Sequence, residues 1–200
     1  MRVCGGLNVK KLGLGMAAML VGATMVATPA LAQSGGSERE DLLIAIQQGN
    51  SGDVNDLVAK GGKGWLDYTG HSGETPLTTA IKSRNTLFAR YLIQEEANPD
   101  LANADGDTPL TLAVFRNESE VIDALLQAGA DIDKGNRFGE TPLILAVQAR
   151  RTAIVRLLLD RGADPDVRDH RAGFSAREYA ARDDRNRSFI RLIEQQKKKK

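Results

Sequence analysis

The side chains best suited to chemistry are scarce in this 200-residue sequence. His71 and His170 are the two histidines, and Cys4 is the single cysteine. Cysteine nucleophiles, Cys/His zinc clusters and histidine-rich metal sites are therefore poorly supplied with ligands. Asp183 and Asp184 form an adjacent acidic pair, but neighbours on a helix face different ways and cannot share one substrate atom. The sequence contains no glycine-rich phosphate loop, no His-Glu-x-x-His and no nucleophile elbow. Asn117-Glu118-Ser119 and Asn186-Arg187-Ser188 match a glycosylation acceptor, yet both fall on segments that read as helical. The expectation is a protein without catalytic site, metal or cofactor, one that works by binding.

Composition agrees with a folded, water-facing protein: 42% of residues are apolar and 26% charged. Aromatics are 4%, so the core must be built from Leu and Ala in closely packed helices. The net charge of +1 hides an asymmetry. Residues 33–167 hold 13 Lys and Arg against 21 Asp and Glu, a balance of −8; residues 168–200 hold 11 against 5, a balance of +6. The chain ends on Lys197-Lys198-Lys199-Lys200. Such a terminus is either an interaction tail or a solvated, frayed end.

The first 32 residues read as an address. Arg2, Lys10 and Lys11 precede an uncharged, mostly apolar run from Leu12 to Val26, followed by Ala30-Leu31-Ala32, a small-x-small cleavage pattern. Cleavage is expected before Gln33, with a retained membrane anchor as the alternative. Gly13, Gly15, Gly22 and Pro29 interrupt the run, which is shorter in its strongly apolar part than a span of about 20 residues. Cys4 lies before the run, where it cannot be the acylated cysteine of a lipid anchor, and residues 1–32 hold no twin-arginine pair.

After a polar linker (33–37) the sequence repeats itself. Gly73-Glu74-Thr75-Pro76-Leu77 returns as Gly106-Asp107-Thr108-Pro109-Leu110 and as Gly139-Glu140-Thr141-Pro142-Leu143, at a spacing of 33 residues. A worn copy follows at Gly173-Phe174-Ser175-Ala176. Ala80, Ala113, Ala146 and Ala180 keep step, as do the apolar pairs Leu92-Ile93, Leu125-Leu126, Leu158-Leu159 and Leu192-Ile193. Counting back places Ala45 and Leu57-Val58 in a first unit. Each threonine is a natural N-cap, and proline at the next position fits the first helical turn. The small residue lets helices approach, and Gly129 and Gly162 can end the second helix in a left-handed conformation. Each unit thus reads as helix, turn, helix and projecting loop.

These residues resemble the ankyrin repeat, whose signature is Thr-Pro-Leu-His-x-Ala with a later Leu-Leu-x-x-Gly-Ala-Asp. The resemblance implies an all-α solenoid of about five stacked helix pairs with projecting β-turn loops. It covers 38–196, in units 38–71, 72–104, 105–137, 138–171 and 172–196, and leaves a basic tail at 197–200. The departures carry expectations of their own. Thr78, Thr111 and Ile144 stand where the family has histidine, which predicts less firmly tied helix starts. Glu96 replaces the helix-ending glycine, so it is either strained or ends its helix differently. Trp65 and Tyr68 lie in a lengthened first loop and read as a cover for the first unit's core.

The resemblance also implies a binding face made of loop tips and first helices. Carried over by position, its candidate partner-binding residues are His71, Lys82, Asp105, Phe115, Arg116, Arg137, Phe138, Gln148 and Arg182. Phe115 and Phe138 are read either as anchors on one patch edged by Arg116 and Arg137, or as packing, with Phe138 folded onto the adjacent loop and Phe115 beneath it. The leading expectation is a monomeric, non-enzymatic interaction module or scaffold in the bacterial periplasm, binding an envelope protein. Nucleic acid is not expected as its partner, and the membrane enters only through the leader before cleavage. The alternatives are a secreted effector-like protein, or a binder of anionic surfaces (lipid head groups, lipopolysaccharide, nucleic acid) through Arg182, Arg185, Arg187, Arg191 and the lysine tail.

Overall fold

The computed structural model describes residues 38–183 and 187–197. The expected leader and linker, together with Arg185 and Lys198 to Lys200, lie outside them. Among the described residues eleven helices run in order: α1 (Glu38–Gln48), α2 (Ser51–Gly61), α3 (Lys63–Leu66), α4 (Pro76–Lys82), α5 (Thr86–Gln94), α6 (Pro109–Arg116), α7 (Ser119–Gln127), α8 (Pro142–Gln148), α9 (Thr152–Asp160), α10 (Ala176–Arg182) and α11 (Arg187–Lys197). Five antiparallel pairs result, α1/α2, α4/α5, α6/α7, α8/α9 and α10/α11. The single β pairing among the described residues is a bridge between Arg168 and Ser175. The expected all-α solenoid is what the chain forms.

The first helices of the pairs stack in the order α1, α4, α6, α8, α10. The contact surface between them is the alanine column: Ala45, Ala80, Ala113, Ala146 and Ala180 are each fully buried. Leucines and isoleucines such as Leu77, Leu110, Leu143, Ile81 and Ile154 close the remaining space. Burying one such side chain contributes about 1.5–3 kcal/mol. Because no unit covers its own apolar face, this burial is shared between neighbours. The added helix α3 buries Leu66 and packs Trp65 against the first unit's core, as expected of the longer loop. Tyr68 is held separately, donating to Glu40 Oε2 at 3.3 Å beneath the Arg39 guanidinium.

The helix starts differ from the expectation. Thr78 is not a weak substitute for histidine: its Oγ1 accepts the Thr75 N–H at 2.8 Å while Thr75 Oγ1 accepts the Thr78 N–H at 3.1 Å, a reciprocal capping box. Thr111 Oγ1 donates back to the Thr108 carbonyl at 2.9 Å. At Ile144 the reciprocal bond has no donor or acceptor, and Thr141 Oγ1 alone caps the helix.

The helix ends repeat as faithfully. Glu96 has φ of 65° and lies in the left-handed region with Gly129 (89°) and Gly162 (95°). The Ala97 N–H reaches the Leu92 carbonyl and the Glu96 N–H the Ile93 carbonyl, as Ala130 and Gly129 do to Leu125 and Leu126. All three ends are Schellman motifs, so Glu96 accepts the strained geometry instead of avoiding it. Arg84, Asn117 and Arg150 take the same left-handed φ where the first helix of a pair ends.

Candidate functional site

Loops project between the pairs, and their stacking sets the binding face. Each loop tip turns on a glycine; Gly106 and Gly139 have φ of 77° and 72°. A Cβ on Gly139 would lie 2.8 Å from His170 Cγ, and one on Gly106 would lie 2.6 Å from Arg137 Cβ. Glycine is therefore required both by the turn and by the closeness of the next loop. The tips are tied together by backbone bonds from Ala104 to the Gly73 carbonyl (2.7 Å) and from His170 to the Phe138 carbonyl (2.8 Å).

Behind these tips a cleft of about 320 Å³ opens along α6 toward α8. Leu112, Phe115 and Leu145 give it apolar walls; Lys82, Asp107, Arg116 and Glu140 give it charge. Phe115 is 68% exposed, so it is not packed beneath its neighbours. Lys82 is committed elsewhere: it pairs with Glu74 and, at 3.5 Å, with Asp105. Burial disfavours its charged form, yet the Glu74 hydrogen bond and the nearby carboxylates outweigh burial and raise its pKa. Asn103 Nδ2 holds the same Glu74 carboxylate at 3.2 and 3.3 Å. Partial burial, reinforced by the charge of Asp105, pushes the Asp107 carboxyl upward against the opposing pull of Lys82 and Arg137. Arg116 Nε is shielded from water and has no hydrogen-bond partner among the described residues.

The remaining candidates do not share this cleft. His71 is exposed at the first loop, with Nδ1 3.2 Å from Glu40 Oε2. Gln148 is exposed at the end of α8. Phe138 is not among the cleft's lining residues, so the structure does not join the two phenylalanines in one cavity. Its ring lies against the adjacent loop, under the guanidinium carbons of Arg137 at 4.8 Å and Arg171 at 5.1 Å, and remains 36% exposed. Arg182 stacks 4.2 Å from the centre of the Phe174 ring, which meets Tyr179 edge-on.

The carry-over by position missed Arg171, although it stands 33 residues after Phe138 at the same place in its loop. It also missed Asp169, which shapes that loop. Asp169 is 3% exposed, and its Oδ1 accepts the N–H groups of Arg171, Ala172 and Gly173 at 3.0, 2.7 and 3.0 Å.

Among the described residues no group of His, Cys, Asp or Glu could hold a metal ion. No described helix is long and apolar enough to cross a membrane. No curated protein matches the sequence. The family model for ankyrin repeats (three copies) matches three overlapping stretches, 42–136, 96–169 and 128–200, which together cover residues 42–200. With its helix pairs, alanine column, capped Thr-Pro-Leu starts and stacked loop tips, the chain belongs to the ankyrin-repeat family.

Proposed function

We propose that this chain is a non-enzymatic adaptor that binds a partner protein along its loop tips and first helices, with Phe115 as the main anchor. Ankyrin repeats are in general protein-interaction modules, and the family is typically non-enzymatic. The observation that carries the reading is the Phe115 ring, 68% exposed on the wall of a cleft it shares with Leu112 and Leu145. A large aromatic left in water beside apolar walls is the usual form of an interface anchor. Arginine beside it adds adaptable hydrogen bonding at the edge.

The place of action belongs to the same proposal. The basic start, apolar run and Ala30-Leu31-Ala32 support export to the periplasm, where the partner is an envelope protein. Mass spectrometry of protein expressed in its native setting tests this: an N-terminus at Gln33 is expected, and an intact Met1 in the membrane fraction overturns it. Capture from an envelope extract by residues 33–200 tests the binding reading. Phe115→Ala should remove the captured protein while the helical circular dichroism and melting temperature stay the same. Retained capture by a folded Phe115→Ala variant would remove Phe115 from the interface.

A further inference from the structure

The unit 33–167 is rich in carboxylates, 21 against 13 basic residues. Five of its cations find anionic partners: Lys60 with Glu38, Lys63 with Glu96, Lys82 with Glu74, Arg150 with Asp183 and Arg161 with Asp123. Arg137, and Arg171 just beyond that stretch, are set apart by sharing one aromatic ring. Both are exposed, and among the described residues neither has a carboxylate within ion-pair distance. Their guanidinium groups lie instead against one ring, Phe138, at 4.8 and 5.1 Å. A guanidinium braced on an aromatic face keeps its N–H edge available, and less side-chain entropy remains to be lost when it binds.

The brace is itself held from behind. Arg137 and Phe138 are the central residues of a turn closed by the Gly139 N–H on the Asn136 carbonyl at 2.8 Å. Asn136 Oδ1 also accepts the Phe138 and Glu140 N–H groups, at 3.0 and 3.1 Å. On the other side Asp169 gathers the backbone of Arg171 to Gly173. The His170 N–H on the Phe138 carbonyl locks one loop to the other. Two forks are thus presented from two tied loops.

We infer that Arg137 and Arg171, braced on Phe138, receive the carboxylates of an acidic segment of the protein partner. The inference rests on the protein-binding reading above and adds the partner's charge to it. Planar forks suit carboxylate oxygens through paired, charge-assisted hydrogen bonds. The setting favours a peptide over an anionic membrane: Arg137 stands in the net-negative stretch 33–167, which a broad negative surface would meet with repulsion, whereas a short segment can contact the two arginines held on one ring and nothing else.

The test uses the mature chain, 33–200, and three probes: capped hexaglutamate, capped hexalysine, and phosphatidylglycerol vesicles. Hexaglutamate should shift the backbone amide resonances of residues 137–139 and 170–173, and hexalysine should not. Arg137→Gln with Arg171→Gln should weaken hexaglutamate about tenfold with circular dichroism unchanged. Arg137→Lys with Arg171→Lys should weaken it as well, because lysine keeps the charge and loses the fork. Lysine variants that bind like the parent would overturn the inference, as would glutamine variants that do. Vesicle binding lost on the same substitutions, with hexaglutamate indifferent, would reassign the surface to lipid. If Phe115→Ala abolishes capture of the envelope partner and the glutamine variants do not, the acidic-segment inference fails while the protein-binding reading stands.

Discussion

Asp100 Oδ1 accepts the backbone N–H of Asp131, thirty-one residues ahead and one repeat away, at 3.0 Å. The same bond joins Asp67 to Asn98 at 2.9 Å and Asp133 to Asp164 at 2.9 Å. Between these rungs Asn98, Asp131 and Asp164 accept the N–H two residues on, from Asp100, Asp133 and Asp166. Beyond the last, Arg177 takes both oxygens of Asp166. The result is a continuous side-chain ladder along one edge of the array. Each long-range rung crosses from one unit to the next, so it adds to coupling between repeats instead of to a repeat's own stability. Asp100→Ala should therefore lower the urea midpoint by about 1 kcal/mol in free-energy terms. An unchanged midpoint would show that water replaces the rung at no cost.

Thr78 allows a direct comparison between units. Thr78→Ile copies Ile144 and removes the reciprocal half of the capping box while keeping the Thr75 cap. Thr78 is fully buried, so the lost bond leaves the Thr75 N–H without its partner. The expected loss is about 1 kcal/mol by equilibrium unfolding. A neutral substitution would mean that the added isoleucine packing offsets the bond.

Glu96 sets backbone strain against an ion pair. Its φ of 65° favours glycine, while its carboxylate pairs with Lys63 across 33 residues. That pair is exposed on both sides, and exposed pairs contribute little. Backbone relief should win, giving melting temperatures in the order Glu96→Gly, parent, Glu96→Ala. Alanine is the informative third member, since it loses the pair and keeps the strain. A glycine variant that melts below the parent would show that the Lys63 pair outweighs the strain.

The fold was legible because the signals recur at one period. Thr75, Thr108 and Thr141 announce helix starts, and Ala80, Ala113 and Ala146 mark the contact column at the same spacing. The aspartate ladder carries that period too, at 67, 100, 133 and 166. It went unread because surface carboxylates look like ordinary solvation until a partner N–H is known. The candidate face was only half legible. Position placed Phe115 and Arg116 on the cleft, but it could not tell that Lys82 is spent on Glu74, or that Phe138 is taken by two arginines. Those pairings depend on side chains meeting across loops, which sequence spacing does not order.

The last helix pair should answer to pH through Asp169 and Tyr179. Tyr179 donates its phenolic hydrogen to Asp169 Oδ2 at 2.5 Å, while Oδ1 holds three backbone N–H groups. Burial works to raise the Asp169 pKa, but the phenol and the three N–H groups outweigh it, and the carboxyl is held below its ordinary value. The stabilisation is therefore whole above the unfolded carboxylate's pKa of about 4, and is lost as pH falls through the depressed folded value. Tyr179 runs the opposite way. Burial, then the bond and charge of Asp169, push it up to about 12. Its contribution is whole below the unfolded phenol's pKa of about 10 and is lost as pH rises through the folded one. Ultraviolet titration of the phenolates should show a late step that Tyr179→Phe removes. Asp169→Asn should bring that step down without returning it to the ordinary value, since burial remains. Asp169→Ala should cost about 3 kcal/mol, because it orphans the loop's N–H groups together. It should also broaden the amide resonances of 170–174, the loop that carries Arg171. If Asp169→Ala leaves stability and that loop unchanged, Asp169 does not organise the loop, and the bracing of Arg171 on Phe138 has another cause.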